Sequence, residues 1–286
     1  MTDKNNIREL VTIIIPSYNH SEFVKEAVLS ALNQDYGNIE LIVIDDGSSD
    51  GSRGILQDLS KKYGFLYVEQ NNQGVAKTIN NGIRKANGAY LSILASDDYF
   101  YTNKISLLMN QFAIFDKDTA AIFGDAVLVD KSGNSIEKEY QGRRSANFLD
   151  LYLSPKRKKL LLEKKYADYK MLIEGNFIPA MSVLIKMQKI KEVGLFPDVY
   201  AIEDYPMWLE FSKRFKIRFV DLPVAVYRQH DDNSIVRDRL KFIKEQIRIL
   251  NKEFLEAVFC GALLKYVFRY LRLCLNFILY KFIIFR

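Results

Sequence analysis

The sequence predicts an α/β protein with a mixed, mainly parallel sheet flanked by helices. Short apolar runs alternate with segments of helical spacing through the first hundred residues, which is typical of β-α-β units. The runs are rich in Ile and Val, as buried parallel strands are. Each run ends in a polar cluster. Because ligands in such sheets bind beyond the carboxyl ends of the strands, the four clusters predict a shared site.

Four strands are predicted in the first half of the chain, at 11–15, 39–44, 65–68 and 90–94. Pro16 ends the first strand, and Ser21 is the expected N-cap of the helix that follows. Two more helices are expected at 49–63 and 75–86, between the later strands.

The second half is predicted from weaker patterns. Helices are expected at 103–115 and 205–215, and strands at 120–129, 177–186, 218–220 and 224–227. Residues 140–174 are basic and partly helical, and they include a run of four cations at 156–159. That run is interpreted as a solvated face or mobile loop; the alternative is a lid or a membrane-facing patch.

Composition limits the classes of partner. The chain has 286 residues, 49% of them hydrophobic, and a formal net charge of +6, which favours an anionic partner: nucleotide, nucleic acid or acidic membrane. Cys260 and Cys274 fit reduced packing residues. His20 and His230 are too few for zinc sites that need several His or Cys ligands. The polar N-terminal stretch lacks the apolar region of a secretory signal.

The C-terminal tail differs from the rest. From Phe254 onward it is rich in Phe, Leu, Ile and Tyr, with basic residues spaced through it. No uncharged run approaches the roughly 20 residues of a membrane-spanning helix. The pattern predicts an amphipathic helix on a membrane surface, and the alternative is packing on the domain or on a second subunit.

Asp97 and Asp98 follow the strand at 90–94. Adjacent carboxylates repel each other unless a cation or a donor-rich ligand joins them. Mg²⁺-like ions prefer one or two protein carboxylates, with phosphate oxygens and water as further ligands. The pair therefore indicates a metal–nucleotide site; the alternative is a solvated loop that caps the next helix.

Six motifs add a resemblance to a known family. In order they are Ile13-Ile-Ile-Pro-Ser-Tyr-Asn, Val43-Ile-Asp-Asp-Gly-Ser-Ser-Asp, Asn72-Gln-Gly-Val, Ala95-Ser-Asp-Asp, Glu203-Asp204 with Trp208, and Tyr227-Arg-Gln-His. Together they resemble family 2 glycosyltransferases of the GT-A fold over about residues 10–235. The resemblance implies inverting transfer of a sugar from a nucleotide diphosphate donor, with Mn²⁺ or Mg²⁺ as cofactor.

The resemblance also implies roles for individual residues. Tyr18 would lie against the base, Asp46 would accept hydrogen bonds from a nucleoside that is usually uridine, and Asp97 would bind ribose. Asp98 would coordinate the metal, with His230 nearby. The remaining donor-site residues would be Pro16, Asn19, Asn72, Gly74 and Lys77.

On the acceptor side, the resemblance implies that Asp204 is the general base, with Glu203 beside it and Trp208 against the acceptor. Each of these side chains also has a plain structural interpretation as a helix cap or packing residue. The sequence departs from the family at Ile79, where many relatives carry an Arg, and Lys77 is a candidate substitute.

Tail and motifs together predict a peripheral enzyme on the cytoplasmic face of the inner membrane. It would take a UDP-sugar and extend a lipid-diphosphate-linked glycan of O-antigen or capsule type, with no nucleic-acid partner. Expected parts are a nucleotide-sugar half at 1–110, an acceptor half at 111–235 and the tail at 236–286, through which the chain would also self-associate. The alternatives are a non-catalytic nucleotide-sugar-binding or scaffold protein and a sugar-1-phosphate nucleotidyltransferase, whose Gly-rich loop is missing.

Overall fold

The computed structural model describes residues 8–140, 142–231 and 239–284. The strands are β1 (Val11–Ser17), β2 (Ile39–Asp45), β3 (Leu66–Glu69), β4 (Tyr90–Ile93), β5 (Tyr99–Phe100), β6 (Thr119–Val129), β7 (Lys138–Tyr140), β8 (Arg143–Ser145), β9 (Tyr166–Ala167), β10 (Val183–Lys186) and β11 (Lys216–Arg228). The helices are α1 (Val24–Leu32), α2 (Ser52–Tyr63), α3 (Val75–Ile83), α4 (Lys104–Phe112), α5 (Phe148–Tyr152), α6 (Pro155–Lys164), α7 (Tyr169–Leu172), α8 (Met187–Val193), α9 (Asp204–Arg214), α10 (Arg239–Phe259) and α11 (Leu263–Ile284).

A nine-stranded sheet, in the order β3-β2-β1-β4-β10-β6-β11-β5 with β9 beside β11, organises the molecule. Strands β1, β2, β3 and β4 pair in parallel, as do β6 and β11. The antiparallel pairs are short, two or three residues each. The predicted mixed, mainly parallel sheet is confirmed.

The core lies on both faces of this sheet. Alternate residues of a strand point to opposite faces, so Ile13 and Ile15 of β1 join one apolar cluster and Ile14 joins the other. Helices α1 and α4 cover the first face, and α3 and α9 cover the second. Both faces of the first strands are therefore buried, which explains their unbroken apolar runs.

Three local predictions were wrong. Helix α1 begins at Val24 without a side-chain cap, and the backbone N–H of Ser21 donates to Asp50 Oδ2 (2.8 Å) instead. The strand expected at 177–186 is only β10, because a 3-10 turn occupies Ala180–Ser182. The two short strands after 216 are one strand, β11, which continues past Pro223 by shifting its register against β6.

Helices α10 and α11 form an antiparallel hairpin. Arg239 Nη1 donates to the hydroxyl of Tyr280 (3.0 Å), and Phe254 meets Tyr266 near the turn. One side of the hairpin packs on the domain through buried side chains of both helices, and on the other side apolar side chains are exposed, including Leu255, Phe259, Leu264, Phe268, Leu271 and Leu275. Among the helices in the described ranges, none has the length and apolarity to cross a membrane.

Candidate active site

The segments that follow β1, β2 and β4 are hydrogen-bonded to one another. The Asp46 N–H donates to Ser17 O (2.8 Å), and the Asn19 N–H donates to Ser48 Oγ (2.9 Å). His20 Nδ1 and Ser96 Oγ lie 2.8 Å apart. Three of the polar clusters seen in the sequence thus meet at the carboxyl edge of the parallel strands, where ligands of such sheets bind.

His20, Asp97 and His230 form a histidine–aspartate cluster at this edge. Their ligand atoms all lie within 4.8 Å of one another. His230 Nε2 lies 3.0 Å from Asp97 Oδ2, and His20 Nε2 lies 3.9 Å from the same oxygen. Two imidazoles and a carboxylate are a donor set that suits divalent transition metals. The residues present therefore fit a bound metal ion.

Sequence reasoning did not assign a role to His20. A signal was present, because the chain's two histidines each occur in one of the six motifs or directly after it. The motif ending at Asn19 follows β1, and the motif ending at His230 follows β11. What the sequence alone does not show is that the sheet brings these two strand ends together across roughly 200 residues of chain.

The two adjacent aspartates have different surroundings. Burial raises the pKa of Asp97, but the hydrogen bond with His230 and the charge of His20 outweigh it and hold that pKa below its usual range. Burial and the neighbouring Asp97 raise the pKa of Asp98 well above its usual range. Asp98 Oδ1 accepts a hydrogen bond from the Arg228 N–H (2.9 Å). Asp98 is not a member of the histidine–aspartate cluster found among the described residues.

Arg228, at the end of β11, holds the loop that carries these aspartates. Its Nε donates to Asp97 O (3.0 Å), its Nη1 donates to Lys131 O (2.8 Å), and its Nη2 pairs with Glu26. One planar side chain thereby joins three separate segments, a task that suits the rigid fork of arginine.

Asp46 is buried and shapes the loop before α3. Its Oδ1 accepts from the Gln73 N–H (2.9 Å) and from Gln70 Nε2 (2.7 Å), and its Oδ2 accepts from the Gly74 N–H (2.9 Å). A carboxylate offers about four acceptor sites. These three bonds leave Asp46 room for about one further hydrogen bond, such as one from a nucleoside.

The other predicted donor-site residues surround this edge. Tyr18 is 45% exposed, and Asn72 and Lys77 are also exposed. Asn19 has a left-handed backbone (φ 55°), and its side-chain oxygen accepts from the Ser49 N–H (2.8 Å). Pro16 is part of β1.

Glu203 and Asp204 lie where α9 begins and line a small cavity of about 10 Å³. The cavity is also lined by Ile93 at the end of β4 and by Trp208, which is buried. Asn176 Nδ2 donates to Asp204 Oδ2 (2.8 Å). The indole Nε1 of Trp208 lies near that carboxylate without forming a regular hydrogen bond. The carboxylate pair therefore sits next to the strand that leads into Asp97.

Both carboxyl groups are held away from water. Burial, and then the charge of Asp204, raise the pKa of Glu203 to about 8. Burial also raises the pKa of Asp204, against the hydrogen bond from Asn176. A carboxylate whose pKa is raised toward neutral pH is a better proton acceptor than an ordinary one.

Ile79 lines the same cavity and is 1% exposed. The position where many family members carry an Arg therefore faces Glu203 and Asp204 with an apolar side chain. Lys77 is exposed on α3, and residues two apart on a helix do not face the same way. Lys77 thus does not replace that Arg in the cavity.

The fold and this site define a class of protein, the GT-A glycosyltransferases, and comparisons with known proteins define the family. The family model of glycosyl transferase family 2 matches residues 12–186. A glycosyltransferase of Haemophilus influenzae without an assigned function is 32% identical over 230 residues, which cover 80% of this chain and 79% of that protein. The chain belongs to glycosyl transferase family 2.

Other relatives extend the comparison. A glycosyltransferase of Rickettsia felis, also without an assigned function, is 30% identical over 86% of this chain, and the match spans only 38% of that protein. TuaG of Bacillus subtilis, named as a candidate teichuronic acid biosynthesis glycosyltransferase, is 25% identical over 89% of this chain and 94% of its own length.

Two solved structures share the fold. TarS 1–349 of S. aureus in complex with UDP-GlcNAc has a TM-score of 0.63 and 16% identity, over 91% of this chain and 72% of that one. The mannosyltransferase PcManGT of Pyrobaculum calidifontis, in complex with GDP-Man and Mn²⁺, has a TM-score of 0.60 and 15% identity. The match covers 86% of this chain and 64% of that one. At this identity the likeness supports the fold alone.

Proposed function

We propose that this chain transfers a sugar, with inversion, from a UDP-sugar to a hydroxyl group of a lipid-linked glycan during bacterial surface polysaccharide synthesis. One observation carries the proposal: a metal-competent cluster and a pair of carboxylates that line a cavity lie at the same edge of the sheet, at either end of the segment from Ile93 to Asp97. The likeness to TuaG supports the polysaccharide class, and the UDP-sugar donor class follows from the family resemblance of the sequence motifs.

For the metal, we assign the ligand role to His20, Asp97 and His230. The sequence motifs assigned the role of metal ligand to Asp98, with His230 nearby. In the structure, the Oδ1 atom of Asp98 accepts a hydrogen bond from the backbone N–H of Arg228. A bound Mn²⁺ or Mg²⁺ would neutralise the charge that develops on the departing diphosphate. Imidazole ligands suit transition metals and are rare for Mg²⁺, so this site favours Mn²⁺.

For the chemistry, we assign the general base to Asp204. The acceptor hydroxyl gives its proton to this carboxylate as its oxygen forms the new bond to the anomeric carbon. The bond from that carbon to the diphosphate breaks, and the diphosphate leaves with the electron pair. Asn176 holds Asp204 in place through its hydrogen bond of 2.8 Å. Glu203, whose pKa is about 8, is protonated at neutral pH and serves as a hydrogen-bond donor at the acceptor side.

For the donor, the roles implied by the family resemblance stand as part of this proposal. Tyr18 stacks on the base, and the remaining capacity of Asp46 takes a nucleoside N–H. Asp97, a metal ligand in this assignment, would bind the metal in place of its predicted contact with ribose. The other donor-side residues are Pro16, Asn19, Asn72, Gly74 and Lys77, and on the acceptor side Trp208 lines the cavity beside Asp204.

For the location, we propose that the exposed apolar side of the tail hairpin lies on the cytoplasmic face of the inner membrane. Phe259 at the end of α10 is 82% exposed and Leu264 on α11 is 75% exposed, and basic residues are spaced along α11. Such a surface matches the amphipathic helices that lie in the plane of a membrane. Self-association through the tail is the competing interpretation.

The test uses the purified full chain, a panel of UDP-sugars and Mn²⁺. We expect one UDP-sugar to raise the melting temperature and to be hydrolysed slowly, or transferred when a lipid-diphosphate acceptor is added. Asp204→Asn should lower transfer by about 10²–10⁴-fold, the usual contribution of a general base, without weakening UDP binding. Binding of a UDP-sugar without any turnover would favour the non-catalytic alternative. Full activity of the Asp204 variant would move the base to Glu203.

A further inference from the structure

Two arginines meet at a glycine between the tail and the proposed base. Arg157 of α6 donates from Nη2 to Met171 O (2.7 Å) and to Gly175 O (3.4 Å). Arg269 of α11 also lies against Gly175, since a Cβ at that position would come within 3.3 Å of its Cζ. Gly175 has a φ of 137°, a conformation that side-chain-bearing residues rarely adopt. The glycine thus allows two guanidinium groups to approach one stretch of backbone.

A third arginine adds charge to this place. Arg272 follows Arg269 by three residues on α11, which puts both on the same side of that helix. Burial lowers the pKa of both Arg157 and Arg269. Arg272 is exposed. We define Arg157, Arg269 and Arg272 as the arginine cluster.

The arginine cluster carries more positive charge than its surroundings neutralise. Glu174 pairs with Arg157 (3.6 Å) and with Lys265, so one carboxylate is shared by two cations. Arg269 donates to Gln246, which is neutral. The Nε atom of Arg269 is buried without a hydrogen-bond partner among the described residues, and the Nε atom of Arg157 has only the ion pair with Glu174 at 3.6 Å. Buried donors without partners are uncommon and call for an explanation such as a ligand.

The cluster is close to the proposed base and to an apolar surface. Asn176, the residue after Gly175, donates to Asp204 (2.8 Å). On α11, Arg269 and Arg272 follow Lys265 at spacings of four and seven residues, which puts the three on one side of the helix. An apolar stripe of exposed residues runs beside them: Leu264, Phe268, Leu271 and Leu275.

We infer that the arginine cluster binds the diphosphate of a polyprenyl diphosphate acceptor, with the hydrocarbon chain along the apolar stripe. The inference rests on the proposed function, because it names the acceptor of the same site. Guanidinium groups bind phosphate oxygens in pairs, with both charge and geometry matched. Unlike a bilayer headgroup, an acceptor diphosphate carries the glycan to be extended, and Asn176 connects this cluster directly to the base that the glycan must reach.

The test measures binding of farnesyl diphosphate in detergent micelles to the full chain. Saturating UDP and Mn²⁺ are present, so that the donor site is occupied. The variant is Arg272→Gln, whose side chain is exposed and whose loss should leave the fold intact. The matched control is Lys281→Gln, an exposed cation of the same helix that lies on its opposite side. Arg269→Lys, which keeps the charge and removes the fork, is a second variant.

We expect Arg272→Gln to weaken farnesyl diphosphate binding by about tenfold or more, Arg269→Lys to weaken it less, and Lys281→Gln to leave it within about twofold. Farnesol should bind all four proteins equally. Unchanged affinity of Arg272→Gln, or equal losses in Arg272→Gln and Lys281→Gln, would overturn the inference.

Two further measurements are needed. The first distinguishes an acceptor diphosphate from lipid headgroups, and the second distinguishes failure of the acceptor subsite from failure of the proposed function. If Arg272→Gln releases the chain from vesicles of phosphatidylcholine and phosphatidylglycerol but binds farnesyl diphosphate normally, the cluster recognises lipid headgroups and the inference fails. UDP binding by calorimetry reports on the proposed function alone. If UDP binds while farnesyl diphosphate does not, the acceptor subsite is wrong and the glycosyltransferase proposal stands; if UDP does not bind, the proposed donor is wrong whatever the cluster does.

Discussion

At the residue scale, Asp97 and Asp98 are neighbours with different surroundings. Asp97 faces two histidines, whereas Asp98 accepts a hydrogen bond from the Arg228 backbone. We expect Asp97→Asn to raise the Mn²⁺ concentration needed for half-maximal turnover by more than about tenfold, since even outer-shell changes cost about 10–100-fold in metal affinity. Asp98→Asn, which keeps an oxygen that can accept the hydrogen bond from Arg228, should change this Mn²⁺ concentration by less than about threefold.

A Mn²⁺ titration of UDP-sugar hydrolysis, with Mn²⁺ binding followed separately by the rise in melting temperature, decides between the two aspartates. The opposite order of effects would return the ligand role to Asp98, where the sequence motif placed it. Equal losses in both variants, with unchanged Mn²⁺ binding, would mean that neither aspartate is a ligand.

Glu203 makes stability depend on pH. Its pKa is about 8 in the folded chain, whereas an unfolded Glu titrates near its ordinary pKa of 4.5. Between these values the folded state holds a proton that the unfolded state has lost, so the stabilisation present below about pH 4.5 disappears as the pH rises toward 8. Glu203→Gln removes this contribution of Glu203 to the pH dependence of stability. We expect the free energy of unfolding of the variant, relative to wild type, to increase with pH over this window, by at most about 1.4 kcal/mol per pH unit.

Urea unfolding of both proteins at several pH values between 5 and 8 measures this difference. Glu163→Gln is the control, because Glu163 is exposed on α6 and its substitution should leave the pH dependence unchanged. A difference between Glu203→Gln and wild type that stays constant with pH would show that Glu203 titrates normally.

At the element scale, the end of β11 fixes the metal-site loop through Arg228. Arg228→Met would leave the carbonyl oxygens of Asp97 and Lys131 without their donors. A buried polar group that loses its partner costs about 1–3 kcal/mol, so we expect the free energy of unfolding to fall by about 2–4 kcal/mol. Arg218→Met, in the same strand but paired with the exposed Asp116, should cost less than about 1 kcal/mol.

Chemical denaturation of the two variants provides the comparison. Arg228→Lys should rescue little of the loss, because a single ammonium group cannot reach three segments at once. Equal stability of Arg228→Met and Arg218→Met would show that the loop is held by other contacts.

A helix or strand could be predicted from the sequence where its own residues determine its structure. The run from Val11 to Ile15 is short, β-branched and buried on both faces, so its length and composition identify β1. Where contacts between distant segments determine the structure, predictions from local patterns were wrong. Ser21 has the chemistry of an N-cap, yet Asp50 from another loop takes its N–H. Pro223 indicates a break, yet pairing with β6 carries β11 across it.

The same distinction applies to the site. Motifs identified Asp97, His230 and Asp204 as functional candidates, since those residue types follow predicted strands or open a helix. The separate orientations of Asp97 and Asp98, and the membership of His20, depend on how three strand ends pack together. The arginine cluster depends on α11 folding back over Gly175, which no local pattern contains.

At the scale of the whole molecule, the proposed location on the membrane depends on the tail hairpin. Phe268 on α11 is 72% exposed, and Ile114, on the domain, is 73% exposed, which makes them a matched pair. Burying an aromatic side chain in the membrane interface contributes about 1.5–3 kcal/mol. We therefore expect Phe268→Glu to lower partitioning onto vesicles that contain phosphatidylglycerol by more than about tenfold, and Ile114→Glu to leave it unchanged.

Sedimentation with vesicles gives the partitioning, and light scattering without vesicles gives the oligomeric state. A peripheral membrane enzyme predicts that only the first measurement responds to Phe268→Glu. If the chain ignores vesicles and Phe268→Glu instead converts a dimer into a monomer, the exposed side of the hairpin is a subunit interface. Because the apolar stripe lies beside the arginine cluster, that outcome would also bury the proposed acceptor path, so the location of the enzyme and the identity of its acceptor are tested together.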